Sequence, residues 1–379
     1  MDPVVIVGAG LAGYSVAREL RRLDRRTPIT LISADGGDFY AKPMLSNAFA
    51  LGKDAAALVT TPAATMAAQL DLNLLARTRV ESIDTAARVL ATGTGNLRYR
   101  RLVLALGADP IRLPLNGSGA GDVASINDLD DYARFRARLQ AGARVCIIGA
   151  GLIGCEFAND LAAAGYRVAV VDPAAFPLSA LLPEAAARRV EAGLAAAGVA
   201  WHLQRSVRAV EATPDGYRML LDNATPIDVD TVISAVGLRP RTALALAAGL
   251  EVDRGIVVDR QLRTSAADVF ALGDCAQIDG RLRPYVLPIL HAAKALAASL
   301  AGNATAVEFP VMPVVIKTPS CPVAVQPVAR GTDGRWIGED SGGELRLRFL
   351  DRQDRLLGFA LAGAGAVAER SRLARQMIS

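Results

Sequence analysis

Sulfur, imidazole and aromatic rings are all scarce in this sequence. Its four cysteines, Cys146, Cys155, Cys275 and Cys321, form no C-x-x-C or C-x-x-x-x-C pair, so neither a zinc cage nor a redox-active disulfide is written locally. Each thiol reads as a small buried apolar residue. Two histidines are too few for most imidazole-based metal or triad chemistry, and no metal site is expected. Aromatic residues make up 5% and are not interleaved with the arginines, which argues against nucleic-acid binding. The longest uncharged stretch, about residues 55 to 70, contains Pro62, several threonines and Gln69. It falls short of the roughly 20 apolar residues that span a bilayer, so no membrane segment is expected. The opening MDPVVIVGAG has an acidic second residue and reaches a glycine turn by position 8, without the basic and apolar regions of a secretion signal, so a cytoplasmic location is expected.

What the sequence does have is apolar residues, at 52% against 21% charged, over 379 positions. That balance predicts an α/β architecture with a large core and two or three domains. VVIVGAGLAGYSVAREL, at 4 to 20, is a β-branched run, a G-x-G-x-x-G turn and a helical pattern. Gly8 permits the tight turn, Gly10 lets backbone approach a pyrophosphate, and Gly13 lets the helix pack on the strand. RVCIIGAGLIGCEFA, from 144, repeats the order with Gly149, Gly151 and Gly154, and the next strand, YRVAVVD, ends at Asp172. A carboxylate there accepts both ribose hydroxyls of NADH and repels the 2′-phosphate of NADPH. The first unit's second strand, PITLIS, ends instead in Ser33, Ala34 and Asp35; Ser33 could bond a ribose, and Asp35 could do so or serve only the turn.

LRYRRLVLALGADPIRLP (97 to 114), VDTVISAVGLRPRT (229 to 242) and LRTSAADVFALGDCAQ (262 to 277) are apolar strands running into glycine turns. With the two cradles they resemble the crossover and flavin-closing motifs of the FAD-dependent pyridine nucleotide oxidoreductases. In that family the first cradle holds FAD and the second NAD(P)H. The disulfide-reducing members carry cysteine after the first unit, where this chain reads DFYAKPMLSNAF (38 to 49) with none, so electrons must leave the flavin directly. KPMLS (42 to 46), GLIGCEFANDL (151 to 161), SAVGLRPRT (234 to 242), RGIVVDRQLRTS (254 to 265) and VIKTPSCPV (315 to 323) are together similar to the rubredoxin reductases of the family.

The resemblance implies FAD contacts at Gly8, Ala9, Gly10, Leu11, Ala12, Gly13, Ser33, Ala34, Lys42, Val80, Glu156, Asp274, Val286 and Lys317, and NAD contacts at Gly149, Gly151, Ile153, Gly154, Asp172 and Gly237. Lys42 and Glu156 would lie beside the flavin ring, where a buried Lys–Glu pair avoids the several kcal/mol of an unpaired charge. Lys317 could stabilise negative charge growing on the reduced flavin. These three are the candidate catalytic residues. The implied partner is rubredoxin or a similar small acidic iron–sulfur protein, supplying an alkane hydroxylase. The alternatives are a flavorubredoxin reductase for nitric oxide reduction, a ferredoxin reductase for a monooxygenase, or a flavin-binding interaction protein switched by NADH. An acidic partner calls for a basic docking face. The candidates are Arg18, Arg21, Arg22, Arg25 and Arg26 on one side of the first helix, Arg98, Arg100 and Arg101, and the pair Arg281 and Arg283.

The expected organisation is two Rossmann-like dinucleotide-binding domains and a small α+β C-terminal domain. An FAD domain at 1–108 and 238–304 would be interrupted by an NAD domain at 109–237 and followed by the C-terminal unit at 305–379. That unit would hold short strands and a final helix from about Val367, and its small size allows a monomer.

Overall fold

A computed structural model of the chain describes residues 2–377. The chain folds as two compact units, one made of Met1–Lys42, Val59–Asp109 and Leu238–Phe309, the other of Pro43–Leu58, Pro110–Gly237 and Pro310–Ser379.

The first unit is built on a parallel sheet in the order Val269–Ala271, Arg101–Leu104, Val4–Val7, Ile29–Ile32, Asn73–Leu75. Every residue of Val4–Val7 is buried, as a β-branched run covered on both faces requires. From it the chain builds one side of the sheet through Ile29–Ile32 and Asn73–Leu75 and then the other through Arg101–Leu104 and Val269–Ala271, so the turn after Val7 emerges at the point where the strand order reverses, the place where open α/β sheets bind ligands. Helix Leu11–Leu23 follows that turn, buries Val16, Ala17 and Leu20, and packs against helix Val286–Leu300.

Five arginines do not line one side of this helix, as the sequence suggested. The helix stops at Leu23, and the Asp24 carboxylate gathers the N–H groups of Arg26 (2.7 Å) and Thr27 (3.0 Å), which puts Arg25 and Arg26 beyond its end. Arg21 donates to the carbonyls of Leu70, Asp24, Thr27 and Asp71, Arg18 lies over the Phe39 ring, and Arg22 pairs with Glu19. In the second cluster Arg101 donates to the carbonyls of Ser299 and Leu300 at the end of helix Val286–Leu300, Arg100 to Thr27, and Arg98 pairs with Asp2.

The second unit repeats the plan with a parallel sheet in the order Ala200–Leu203, Arg167–Asp172, Arg144–Ile148, Thr231–Ser234. The same reversal occurs beside Arg144–Ile148, ahead of helix Leu152–Ala163. The C-terminal segment forms an antiparallel sheet in the order Val314–Ile316, Val323–Gln326, Leu356–Ala362, Glu344–Leu350, Arg335–Ser341. A single final helix from Val367 was expected; two short ones form, Ala364–Ala368 and Arg370–Gln376. The earlier start follows from Glu344, whose carboxylate accepts the N–H groups of Gly365 and Ala366. Among the described residues no helix is long and apolar enough to cross a membrane.

Candidate functional site

The two glycine turns are superimposable in their physical logic. In the first unit a Cβ on Gly8 (φ +117°) would lie 2.2 Å from the Ala105 carbonyl oxygen, and one on Gly13 would lie 1.9 Å from the Gly8 oxygen. In the second, Gly149 (φ +109°) faces the Ala235 oxygen at 2.7 Å and Gly154 the Gly149 oxygen at 1.9 Å. The fold itself therefore requires these four glycines.

Gly10 and Gly151 are different. Both are helix N-caps with extended backbone (φ −77° and −76°) that any residue adopts, neither has a side-chain cap, and a Cβ on either would meet no protein atom within 4 Å. Nothing inside the chain calls for glycine there. Each glycine keeps a helix N-terminus open to an anion brought against the backbone, so both turns fit a pyrophosphate.

Other predicted residues gather around the first turn. The short helix Gly273–Cys275 follows strand Val269–Ala271 and approaches so closely that a Cβ on Gly273 would sit 2.9 Å from that of Ala12. This delivers Asp274 to the turn. Burial pushes its carboxyl up, and the Lys42 charge opposes that shift. Ser33 is buried and donates to Asp35 (2.5 Å), which also accepts the Gly37 N–H (2.8 Å), so Asp35 does serve the turn. The Thr78 N–H on the Ser33 carbonyl (2.7 Å) and the Arg77 N–H on that of Asp35 (2.8 Å) bring Val80, at the start of strand Val80–Asp84, beside Ser33 and exposed Ala34. Ala9 and Ala12 are buried in the turn, Leu11 is half-buried, and Val286 opens helix Val286–Leu300 with its side chain exposed.

In the second unit Asp172 closes the cradle directly. One carboxylate oxygen accepts the Ala150 N–H within the glycine turn (2.7 Å), and the other accepts that of Ala174 (2.7 Å). Half-exposed Asp172 therefore stands at the lip of the turn. Ile153 is exposed on the helix's first turn, and Gly237 (φ +119°) follows Ala235, whose carbonyl abuts Gly149.

Glu156 is almost wholly buried. It accepts from Ser46 Oγ at 2.6 Å and from the Lys317 backbone N–H at 3.0 Å, while Lys317 Nζ donates to the Pro43 carbonyl at 2.7 Å. Glu156 and Lys317 thus come together, with Ser46 between segments far apart in sequence.

Ser46, Asn159 and Asp160 escaped the sequence reading. Asp160, 4% exposed, accepts the N–H groups of Phe49 (2.8 Å) and Ala50 (3.0 Å), and Asn159 accepts that of Ser320 (3.1 Å). Burial pushes the Asp160 carboxyl up against the pull of those amides. The available signal was three polar residues at 156, 159 and 160, one stripe of an otherwise apolar helix.

No cysteine is poised for redox work. Burial raises the thiols of Cys146 to about 12 and Cys275 to about 11, and pushes those of Cys155 and Cys321 up as well. Thiols held protonated are poor nucleophiles. Cys321 packs where a Cβ on Gly193 would come within 2.7 Å of its own Cβ.

Residues 2–297 match the family described as pyridine nucleotide-disulphide oxidoreductase, and residues 306–377 match the rubredoxin binding C-terminal domain. The chain is 45% identical over 378 residues to a rubredoxin-NAD(+) reductase of Alcanivorax borkumensis, covering 100% of this chain and 99% of the relative. It is 39% identical over 361 residues to a nitric oxide reductase FlRd-NAD(+) reductase of Aeromonas salmonicida, covering 95% and 92%. The fold matches the covalent putidaredoxin reductase–putidaredoxin complex with a TM-score of 0.89 at 29% identity, over 99% of this chain and 93% of that one.

Proposed function

Because this chain belongs to the pyridine nucleotide-disulphide oxidoreductase family, we propose that it is an FAD-dependent NADH:rubredoxin reductase. One NADH and two oxidised rubredoxins would give NAD⁺, a proton and two reduced rubredoxins. The carrying observation is the match of residues 306–377 to a rubredoxin-binding domain. When bound, FAD supplies the conversion of a two-electron hydride donor into a one-electron source.

The chain's task is to bind and orient. Gly8 to Gly13 would take the FAD pyrophosphate, Ser33, Ala34 and Val80 the adenosine end, and Asp274 and Val286 the flavin end. Buried Asp274, with the Lys42 charge near it, offers a hydrogen-bonding carboxyl in a site of low polarity. Gly149, Gly151, Ile153, Gly154 and Gly237 would take NADH, with Asp172 on its ribose. Glu156 would hold Lys317 and Ser46 in place, and Lys317 would favour negative charge on reduced flavin. We place the enzyme in the cytoplasm, in keeping with four unpaired cysteines, and assign an alkane hydroxylase system as the consumer of its electrons.

Steady-state assays test the reading: kcat/KM should be highest with rubredoxin, against ferredoxin and the rubredoxin domain of a flavorubredoxin. A preference for either of the others would replace it. Asp172→Ala should lower kcat/KM for NADH about tenfold and shrink the preference over NADPH, with FAD content unchanged. An unaltered NADH:NADPH ratio would remove Asp172 from the ribose site, whatever the loss of its two hydrogen bonds does to stability.

A further inference from the structure

Of the three arginine clusters that could face an acidic partner, the second is taken up by a helix end, Thr27 and Asp2, and in the first Arg18, Arg21 and Arg22 are engaged by Phe39, carbonyls and Glu19, which leaves Arg25 and Arg26 exposed beside no apolar patch of comparable size. The third cluster differs in its setting. Among the described residues Arg281 is exposed and makes no ion pair. Arg283 lies over the Phe309 ring at 4.2 Å with its buried Nε unbonded, and the nearby charges of Arg281 and Arg260 repel its own. Asp279, the acid whose charge reaches Arg283, is engaged by Arg260.

Immediately after these arginines the chain exposes Tyr285 (36%), Val286, Leu287 (48%) and Leu290 (39%). With Val286 set aside for the flavin, three of the eleven exposed large apolar side chains among the described residues fall within six consecutive residues, which separates this patch from the scattered apolar exposure of any surface. Leu287 and Leu290, three residues apart, are neighbours on the helix surface. An apolar centre with a basic rim is the anatomy of an interface for an acidic protein.

Resting on the reading above, we propose that rubredoxin docks on this patch of the first unit, its apolar contact made by Tyr285, Leu287 and Leu290 and its acidic residues met by Arg281 and Arg283. Two further observations favour that occupant. Phe309, under Arg283, lies inside the segment matched to the rubredoxin-binding domain, so that segment itself contributes to the patch. The patch also flanks Val286, the residue assigned to the flavin, which gives a short path for an electron.

The test uses the full-length flavin-loaded chain with Arg281→Glu and, separately, Leu287→Ser/Leu290→Ser. Arg281→Glu should lower kcat/KM for rubredoxin about tenfold at low salt and flatten its salt dependence. The double variant should lower it at every salt concentration. Both should keep the parental flavin content and rate with ferricyanide, a small acceptor that needs no docking surface. Parental kcat/KM and salt slope in both variants would overturn the proposal. So would loss of flavin or of ferricyanide activity in the double variant, which would place these leucines in the cofactor cradle. A parent that reduces ferricyanide but not rubredoxin removes the functional reading itself, and the docking site with it.

Discussion

Gly10→Ala should yield a chain whose apoprotein melts where the parent does but which retains FAD about a hundredfold more weakly. The backbone at Gly10 suits alanine, and the added methyl meets no protein atom within 4 Å, so folding gives no reason for a penalty. The methyl would stand where the pyrophosphate must touch the backbone, and a hundredfold is about 2.7 kcal/mol, well within what one steric contact removes. Gly13→Ala is the internal contrast: its methyl would fall 1.9 Å from the Gly8 oxygen, so the fold as well as the flavin should suffer. Gly151→Ala completes the comparison by leaving FAD bound while raising KM for NADH. Equilibrium dialysis of FAD and thermal melts of the apoproteins read all three. Parental flavin affinity in Gly10→Ala would show that the open side of this turn faces no ligand.

The second large effect should fall on stability. Asp160→Ala strips a buried N–H group, on Phe49, and a part-buried one, on Ala50, of their acceptor. A buried unpaired donor costs about 1–3 kcal/mol and one that water can reach costs less, so the sum is about 3 kcal/mol and a drop in Tm on the order of 5 °C. Asp160→Asn keeps one acceptor and removes a charge whose burial is unfavourable, so it should lose less than half as much. Differential scanning calorimetry decides it; equal losses for Ala and Asn would mean that the charge, rather than the two hydrogen bonds, holds this segment.

These cases also show what the sequence made legible. The strand–turn–helix units and their order were readable because glycine spacing reports a backbone approach that recurs in both units, within the turn at Gly13 and Gly154 and onto the residue after the neighbouring strand at Gly8 and Gly149. Gly8, Gly13, Gly149 and Gly154 are fixed by contacts to backbone oxygens that any such unit must make. The stripe of Glu156, Asn159 and Asp160 was not readable, because its partners lie more than a hundred residues away, at 46 to 50 and 317 to 320. In sequence those side chains look like the solvated face of an ordinary helix. The first helix misled for the opposite reason. Its arginines look like an unpaired basic face, yet Asp24 ends the helix early and Arg21 is taken up by four carbonyls. Charge counts cannot say which guanidinium groups the fold consumes, whereas the exposed apolar residues beside them distinguish Arg281 and Arg283.

The whole account turns on electrons passing from NADH to a bound flavin and out again with no sulfur between. Stopped-flow mixing with NADH of the purified chain and of a variant with all four cysteines replaced by alanine reads this directly. The flavin absorbance should bleach at the same rate in both, and each NADH consumed should then reduce two rubredoxins. A colourless parent, or a flavin-loaded variant whose bleaching or reoxidation by rubredoxin stops, would contradict it.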